Sequence, residues 1–226
     1  MDAIAAYLAT HFQTEAEFAA HCGITTADLR DLAGIAAPGP SYVVAANGMI
    51  SSRVFGASPA GDAAPGLYFR TAASPWIALA RRLNDAHAMH DAFTREFRQA
   101  LTSLNQTTWR LADAFDDEGN EIPSGIERRA ESAWQSFLDG TFNLCVADPS
   151  SASSIARKEI LQEKLTAVTH NGSTITPDAI SRTELHALVL DYAGSCMPFS
   201  PAEYPHSSRK RLVDDLLTRL GDLQPA

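Results

Sequence analysis

The apolar positions at the start of the chain recur at the spacing of amphipathic helices. Residues 3–12 carry apolar side chains on one helical face,. Thr14 and Glu17 have the spacing of a capping box, which predicts the start of a second, short helix,. Either Thr25 or Thr26 can cap a third helix,. The pattern therefore predicts three short helices in succession.

After these helices the pattern changes to that of paired strands. Asn47 and Gly48 lie between two apolar segments, which is typical of a β-hairpin with a two-residue turn,. The helices and the hairpin together predict a winged-helix-like module over residues 1–56. Residues 57–73 are rich in Ala, Gly and Pro, and we expect them to form a linker loop,.

The remaining pattern is mostly helical and predicts a helical bundle domain over residues 74–226. Ser74 and Pro75 predict the start of a long amphipathic helix whose apolar stripe continues to Leu104,. Alternating apolar residues at 142–146 predict one short extended segment,. Further helices are predicted to begin near Ile126, Ser154, Thr176 and Ser207. The predicted fold class is therefore mainly α, with one β-hairpin in the N-terminal module.

Composition narrows the classes of partner. The 226 residues carry a formal net charge of −9 and a pI near 5.2. Because nucleic acids and anionic membranes attract basic surfaces, this balance argues against both as partners. No apolar run reaches the ~20 residues of a membrane span, the start lacks a basic signal region, and the three cysteines form no CxxC motif,. We expect a cytoplasmic protein that handles a small molecule or another protein.

Residues 209–211 are basic and form the first turn of the last predicted helix. A cation at a helix N-terminus opposes the helix dipole by ~0.3–1 kcal/mol. A bound anion would compensate, with Arg209, Ser207 and Ser208 as its binding residues. Alternatively, a nearby acidic side chain such as Glu203 neutralises this turn, and no ligand is needed.

The candidate catalytic residues are His206, Asp191 and Glu159. As a histidine, His206 can serve as a general acid or base. Asp191 lies near a helix C-terminus, where the dipole disfavours a carboxylate, so we expect it to pair with Arg209. That pair is either a structural salt bridge or a means of orienting a ligand-binding group. Lys158 and Glu159 form either a solvated helix face or the polar lining of a pocket, with Lys158 as a ligand contact.

No motif indicates a metal or a cofactor. His87 and His90 lie three residues apart but belong to no HExxH or di-iron motif,. The acidic segment 116–121 does not fit the ligand positions of a calcium-binding loop,. A Gly-rich phosphate loop, a GxSxG motif and a dinucleotide fingerprint are absent from the sequence,. We therefore predict a protein without a metal site or a classical cofactor.

A Thr-capped helix, a Gly-Ile-Thr connection and a helix with Leu-Arg follow one another near the N-terminus, before a proline-rich turn. The residues concerned are Thr14, Phe18, Ala19, Cys22, Gly23, Ile24, Thr25, Leu29, Arg30, Leu32 and Pro38. This order resembles the N-terminal helix-turn-helix module of MerR-type regulators. The resemblance implies a DNA-binding fold, but Asp28 and Asp31 would meet phosphates with the wrong sign. We expect the module to serve packing or partner contact.

A second resemblance spans most of the chain. It rests on residues 40–42, 55–56, 134–145, 158–159, 191, 199–201 and 207–209. These segments are similar to an uncharacterised bacterial family whose members carry the label natural product biosynthesis protein. The resemblance implies a setting in secondary metabolism, without an established reaction.

Three functions follow from these observations. The first is a protein of natural product biosynthesis that binds or processes a small anionic molecule without a classical cofactor. The second is a MerR-like transcriptional regulator that senses a metabolite. The third is a non-catalytic partner of a biosynthetic enzyme.

Overall fold

The computed structural model describes residues 3–222, except the side chains of residues 106, 107 and 222. Ten α-helices and a five-stranded sheet are found in this part of the chain, which confirms a mainly helical fold. The helices are α1 (Ala3–His11), α2 (Glu15–His21), α3 (Thr26–Leu32), α4 (Ser74–Leu83), α5 (Ala86–Thr107), α6 (Pro123–Leu138), α7 (Thr141–Cys145), α8 (Ala152–Val168), α9 (Arg182–Ser195) and α10 (Asp215–Asp222). A π-helical turn, Lys210–Asp214, directly precedes α10, and residues 208–209 before it are also helical. We call residues 208–222 together the terminal helix.

The sheet is antiparallel and larger than the single hairpin that we expected. Its strands are β1 (Gln13–Thr14), β2 (Tyr42–Val44), β3 (Met49–Ser52), β4 (Gly56–Pro59) and β5 (Gly66–Phe69), in the spatial order β1-β5-β2-β3-β4. Residues 57–73 contribute most of β4 and all of β5, so they form sheet instead of the expected linker loop. Their backbone groups find partners because β4 pairs with β3, while β5 lies between β1 and β2,.

The predicted hairpin is present, but its turn is of another kind. Val44 pairs with Ile50, and the Ala45 amide donates to the Met49 carbonyl, so three residues form the connection. Gly48 has a φ of +78°, whereas Asn47 is not among the residues with positive φ. A two-residue turn of the type expected for Asn-Gly needs positive φ at both positions. Only the glycine adopts the left-handed region, as in three-residue hairpin loops.

The caps predicted for the short N-terminal helices are confirmed. The Thr14 hydroxyl accepts a hydrogen bond from the Glu17 amide, and Glu17 reaches back to Thr14, which completes a capping box. Thr25 is the N-cap of α3 and forms the same arrangement with Asp28. These local bonds fix where α2 and α3 begin.

The long helix predicted from Ser74 to Leu104 is divided in two. Asn84 adopts the left-handed conformation with a φ of 49° and ends α4. The Asp85 side chain then accepts a hydrogen bond from the His87 amide and caps α5. An Asn-Asp pair suits this junction, because Asn tolerates the left-handed region and Asp is a strong N-cap.

Two later helix starts and one extended segment also differ from the prediction. Ser151 caps α8 in place of Ser154, and Ser181 caps α9 in place of Thr176. Residues 141–145 form α7, and only Val146 is extended, in an isolated bridge to Cys196. Phe142 and Leu144 lie on opposite faces of α7, and both are buried. Apolar residues therefore alternate in this helix as they would in a strand.

The N-terminal helices pack directly onto the helical part of the chain. Phe18 and Leu29 belong to the same apolar cluster as Phe93 and Trp134 of the bundle. The Phe18 ring also stacks on Phe69 of the sheet, with centroids 5.2 Å apart. The division into a module of residues 1–56 and a domain of residues 74–226 stays a prediction. In residues 3–222, no helix has both the length and the apolar character needed to cross a bilayer.

Candidate functional site

The basic first turn of the terminal helix is compensated by backbone carbonyls. Arg209 Nη1 donates to the carbonyl oxygens of Ala193, at 3.2 Å, and Cys196, at 3.4 Å. These carbonyls lie at the C-terminus of α9, where a helix dipole favours a cation. The predicted pair of Asp191 with Arg209 is wrong, because Asp191 lies on the solvent face of α9 and pairs with Arg157 at 3.2 Å.

Ser207 is the N-cap of the terminal helix, as predicted. Its hydroxyl accepts a hydrogen bond from the Lys210 amide at 3.1 Å and donates to the Tyr204 carbonyl at 2.8 Å. The Lys210 ammonium pairs with Asp215 at 2.7 Å. Because Ser207 is buried, its role here is to start the helix,.

Lys158 is a buried cation. Its side chain is only 4% exposed, and its Nζ donates to Glu159 Oε1 at 2.9 Å and to Gln162 Oε1 at 2.7 Å. The Tyr192 hydroxyl lies 2.9 Å from Gln162 Oε1 and 2.8 Å from Ser208 Oγ. We call these five residues the lysine cluster. It joins α8, α9 and the terminal helix through hydrogen bonds.

Lys158 and the neighbouring Cys145, which is not itself part of the lysine cluster, both hold their protons tightly. Burial raises the pKa of the Cys145 thiol to about 11, although the adjacent Lys158 ammonium lowers it. Burial opposes the charge of Lys158, but Cys145, Glu159 and Tyr192 outweigh that effect and raise its pKa above the ordinary value. Lys158 therefore remains an ammonium group, and Cys145 remains a thiol, at neutral pH.

Glu203 is a buried carboxylate with neutral partners. It is 7% exposed and lies in the segment between α9 and the terminal helix. Its carboxylate accepts hydrogen bonds from the Tyr42 hydroxyl, from Ser52 at 2.8 Å and from Ser200 at 2.8 Å. Burial, together with Tyr7 and the Glu203 carboxylate, raises the pKa of Tyr42 far above its ordinary value, so this hydroxyl keeps its proton,.

Glu203 lines a cavity of about 420 Å³, which we call the glutamate cavity. One wall comes from β2, β3 and the start of β4, and the other from residues 200–206. Ile50, Val54 and Phe55 make part of the wall apolar, whereas Ser52, Ser200 and Glu203 supply polar groups. His206 is exposed and lines the same cavity. The cavity therefore combines apolar surface with a carboxylate and a histidine.

Aromatic contacts fix the two walls against each other. The Tyr7 hydroxyl donates to the Pro198 carbonyl at 2.9 Å. The Phe55 and Phe199 rings meet edge to face, with centroids 5.6 Å apart. Phe12 meets Tyr42 in the same manner at 5.1 Å. The segment that carries Glu203 is thus held against α1 and the sheet by Tyr7 and Phe199, which lie outside the cavity lining, and by Phe55, which belongs to it,.

The family model of a family of unknown function, DUF6058, matches residues 89–221, which is more than half of the chain. The chain belongs to this family. No curated protein and no solved structure matches the chain significantly.

The DUF6058 region contains only one of the two walls of the glutamate cavity. Ser200, Glu203 and His206 lie inside residues 89–221, whereas Tyr42 and Ser52 lie before them. The lysine cluster lies entirely within the region. The sheet residues that complete the binding of Glu203 thus come from a part of the chain outside the family match.

The predicted site residues do not lie together. Arg209 and Ser207 cap helix ends, and the other five residues lie in three places. Lys158, Glu159 and Ser208 belong to the lysine cluster. His206 lines the glutamate cavity, and Asp191 is exposed beside Arg157. The candidate catalytic residues therefore do not converge on one site.

Sequence reasoning treated Glu203 only as a possible partner of the basic turn and missed Tyr42, Ser52 and Ser200. Tyr42 and Ser200 lie in segments that carried the resemblance to biosynthesis proteins, which was the available signal. The sequence around Ser52 offered no such signal, because a serine in a short strand does not by itself indicate a functional role. The hydrogen bond from Ser52 to Glu203 joins residues 151 positions apart, so only the fold reveals it.

Proposed function

We propose that this protein binds a small molecule in the glutamate cavity, through a ligand group that donates hydrogen bonds or carries positive charge. The observation that carries the proposal is the environment of Glu203. In the part of the chain that the structure describes, its carboxylate has three hydroxyl donors and no ion-pair partner. A ligand ammonium group would add a charge-assisted hydrogen bond to this carboxylate, which belongs to a residue that lines the cavity,.

Electrostatics favours such a ligand. A buried carboxylate loses hydration, and neutral donors restore less of that free energy than a cation does. Among the side chains that the structure describes, Ser52 is the one bound to Glu203 Oε1, while Tyr42 and Ser200 share Oε2. Oε1 can therefore accept a further hydrogen bond, because a carboxylate oxygen has two acceptor positions.

The size and the lining of the cavity also suit a small organic ligand. A volume of about 420 Å³ lies within the range of ~300–1,000 Å³ typical of small-molecule sites,. Ile50, Val54 and Phe55 offer apolar contact for a ring or a short chain. Phenethylamine, which has an aromatic ring and one ammonium group, is a suitable probe.

A matched set of probes also tests the anionic ligand expected from the sequence. We would record thermal stability of the wild-type chain with phenethylamine, 2-phenylethanol and phenylacetate, which differ mainly in charge. The proposal predicts the largest stabilisation by phenethylamine. Stabilisation by phenylacetate alone would favour the anionic ligand and overturn the proposed ligand class.

Two variants assign the effect to the cavity. Glu203→Gln keeps the shape of the side chain and is expected to abolish the preference for phenethylamine. Ser52→Ala keeps the carboxylate and should weaken binding less. Glu118→Gln, at an exposed position, is the matched control and should bind like the wild type. Equal probe binding by Glu203→Gln and the wild type would contradict the proposal.

His206 is the group that a processing reaction would use, because it is the candidate catalytic residue that lines this cavity. We propose that it contacts the bound ligand as an acid, a base or a hydrogen-bond partner. His206→Ala should weaken binding of a natural ligand or stop its conversion without loss of folding. Mass spectrometry of small molecules that co-purify with each variant would identify that ligand.

The setting in natural product biosynthesis is proposed from the sequence resemblance. Its support is that Tyr42, Phe55 and Ser200 lie both in the resembling segments and in the lining of the glutamate cavity. Metabolite profiles of cells carrying wild-type or Glu203→Gln protein test it, since an unchanged profile would count against a biosynthetic role.

The winged-helix interpretation and the regulator function are kept as the alternative. Their support is the succession of α2, α3 and the β2–β3 hairpin. Asp28 and Asp31 on α3 remain unfavourable for DNA,. A gel shift with promoter DNA that disappears at moderate salt would favour this alternative, and no shift at micromolar protein would remove it.

A further inference from the structure

The first turns of α5 bring together three possible metal ligands. His87, His90 and Asp91 each offer one ligand atom, and these atoms all lie within 4.8 Å of one another. His87 Nε2 lies 3.7 Å from Asp91 Oδ2, and His90 Nδ1 lies 3.4 Å from Asp91 Oδ1. Bonds of ~2.0–2.2 Å in tetrahedral geometry place neighbouring zinc ligands about 3.5 Å apart. The two separations from histidine to Asp91 are therefore close to the spacing of metal ligands.

The contacts of His90 support this assignment independently. Its Nε2 lies 3.0 Å from Glu131 Oε2, on the neighbouring helix α6. Gln135 donates to the other oxygen of Glu131 at 2.9 Å and holds that carboxylate. When Nε2 carries the proton and donates it to Glu131, Nδ1 has a free lone pair and faces Asp91. A carboxylate that orients a histidine in this way is the usual support of a metal-binding imidazole.

The ring of His90 is also fixed by packing. It meets the Trp134 indole edge to face, with centroids 5.4 Å apart. The His87 ring lies parallel to it, at 6.3 Å. An ordinary ion pair between His87 and Asp91 would need neither the second imidazole nor its support by Glu131.

We propose that His87, His90 and Asp91 bind one divalent transition metal ion of the zinc type. Two imidazoles and a carboxylate suit zinc, nickel and copper better than magnesium or calcium, which prefer oxygen ligands alone. His87 is 83% exposed, so the remaining coordination position is open to water or an exogenous ligand. The helix dipole opposes a cation at the first turn of α5, and the Asp85 and Asp91 carboxylates offset that effect.

The test is a titration of the chelator-treated, full-length protein with Zn²⁺, followed by calorimetry. We expect one Zn²⁺ per chain, and at least tenfold weaker affinity in His87→Ala and in Asp91→Asn. Both positions are exposed, so these variants should fold. His186→Ala removes another exposed histidine and should retain wild-type affinity.

Two further measurements separate a built site from nonspecific binding. Co²⁺ should give the intense visible absorption of tetrahedral coordination in the wild type and lose it in His87→Ala. Glu131→Gln should keep the stoichiometry but lower affinity roughly tenfold, because it acts through His90. The proposal is overturned by absence of stoichiometric binding, or by equal losses in His186→Ala and His87→Ala.

Discussion

The lysine cluster and the glutamate cavity both bury one charge, and they differ in how that charge is satisfied. Lys158 has a carboxylate partner, an amide oxygen and an almost fully enclosed side chain. Within residues 3–222, the described partners of Glu203 are all hydroxyl groups, and Glu203 lines a cavity of about 420 Å³. A paired, enclosed charge holds helices together, whereas a buried charge that has neutral partners and lines a cavity is suited to binding a ligand.

The largest expected effect is a loss of stability in Lys158→Ala. The substitution removes a buried side chain and the ammonium group that donates to Glu159 and Gln162, so unfolding should require about 3 kcal/mol less free energy,. Urea unfolding measures the difference. Lys164→Ala on the same helix is the control and should lose less than about 1 kcal/mol. A loss of stability below about 1 kcal/mol in Lys158→Ala would contradict a structural role for the lysine cluster.

The second effect is a loss of stability in alkali. The folded pKa of Cys145 is about 11 against an ordinary 9.0, so the folded state binds this proton more tightly than the unfolded state. Its stabilisation is complete below pH 9 and is lost as the pH rises towards 11, in the same direction as for Lys158,. At pH 10 the loss from Cys145 should be about 1 kcal/mol.

Denaturant unfolding at pH 7, 8, 9 and 10 checks this dependence. Cys145→Ala should show a flatter decline than the wild type, because it lacks the titrating thiol. Identical slopes in the two proteins would contradict the raised pKa of the Cys145 thiol.

A smaller effect is expected for Glu203→Gln. Hydrogen bonds to a charged acceptor contribute ~1.5–3 kcal/mol and those to a neutral acceptor ~0.5–1.5 kcal/mol, while the glutamine oxygen can still accept from Tyr42 or Ser52. The substitution also removes a buried charge whose lost hydration opposes folding, so the expected net loss is only about 1 kcal/mol, measured by thermal or urea unfolding. A loss as large as that of Lys158→Ala would mean that Glu203, too, is chiefly structural.

The smallest effect is expected for Arg209→Ala. The guanidinium caps the carbonyls of Ala193 and Cys196, an interaction of ~0.3–1 kcal/mol at a helix C-terminus,. Phenethylamine binding should not change, because Arg209 contacts α9 and not the glutamate cavity. Loss of probe binding in a folded Arg209→Ala protein would instead indicate that the ligand binds at the basic turn, residues 209–211.

The local features of the fold could be predicted, whereas the pairings could not. Thr14, Thr25 and Ser207 act as caps because a cap depends on neighbours within three residues,. Strand β5 was not predicted, because its partners β1 and β2 precede it by more than twenty residues and the pairing is not visible in the local sequence. Glycine and proline near Tyr68 suggested a loop, although pairing on both sides satisfies that backbone.

For the site, sequence reasoning located the segment but not the group at its centre. Arg209 was predicted to bind an anion because a cation at a helix N-terminus is locally unfavourable. In the fold, the α9 carbonyls are its partners instead. Glu203 lies six residues earlier and becomes distinctive only when Tyr42 and Ser52 are brought to it. Burial and long-range partners decide the role of a charged residue, and neither is visible in its neighbours along the chain.

The most direct test of the account is an NMR titration of wild-type and Glu203→Gln protein with phenethylamine and its uncharged analogue 2-phenylethanol. We predict that the wild type binds phenethylamine at least tenfold more tightly, with shifts confined to residues of the glutamate cavity. In Glu203→Gln the two probes should bind equally. Equal affinity for both probes in the wild type, or shifts away from the cavity, would contradict the claim that Glu203 is a ligand-binding carboxylate.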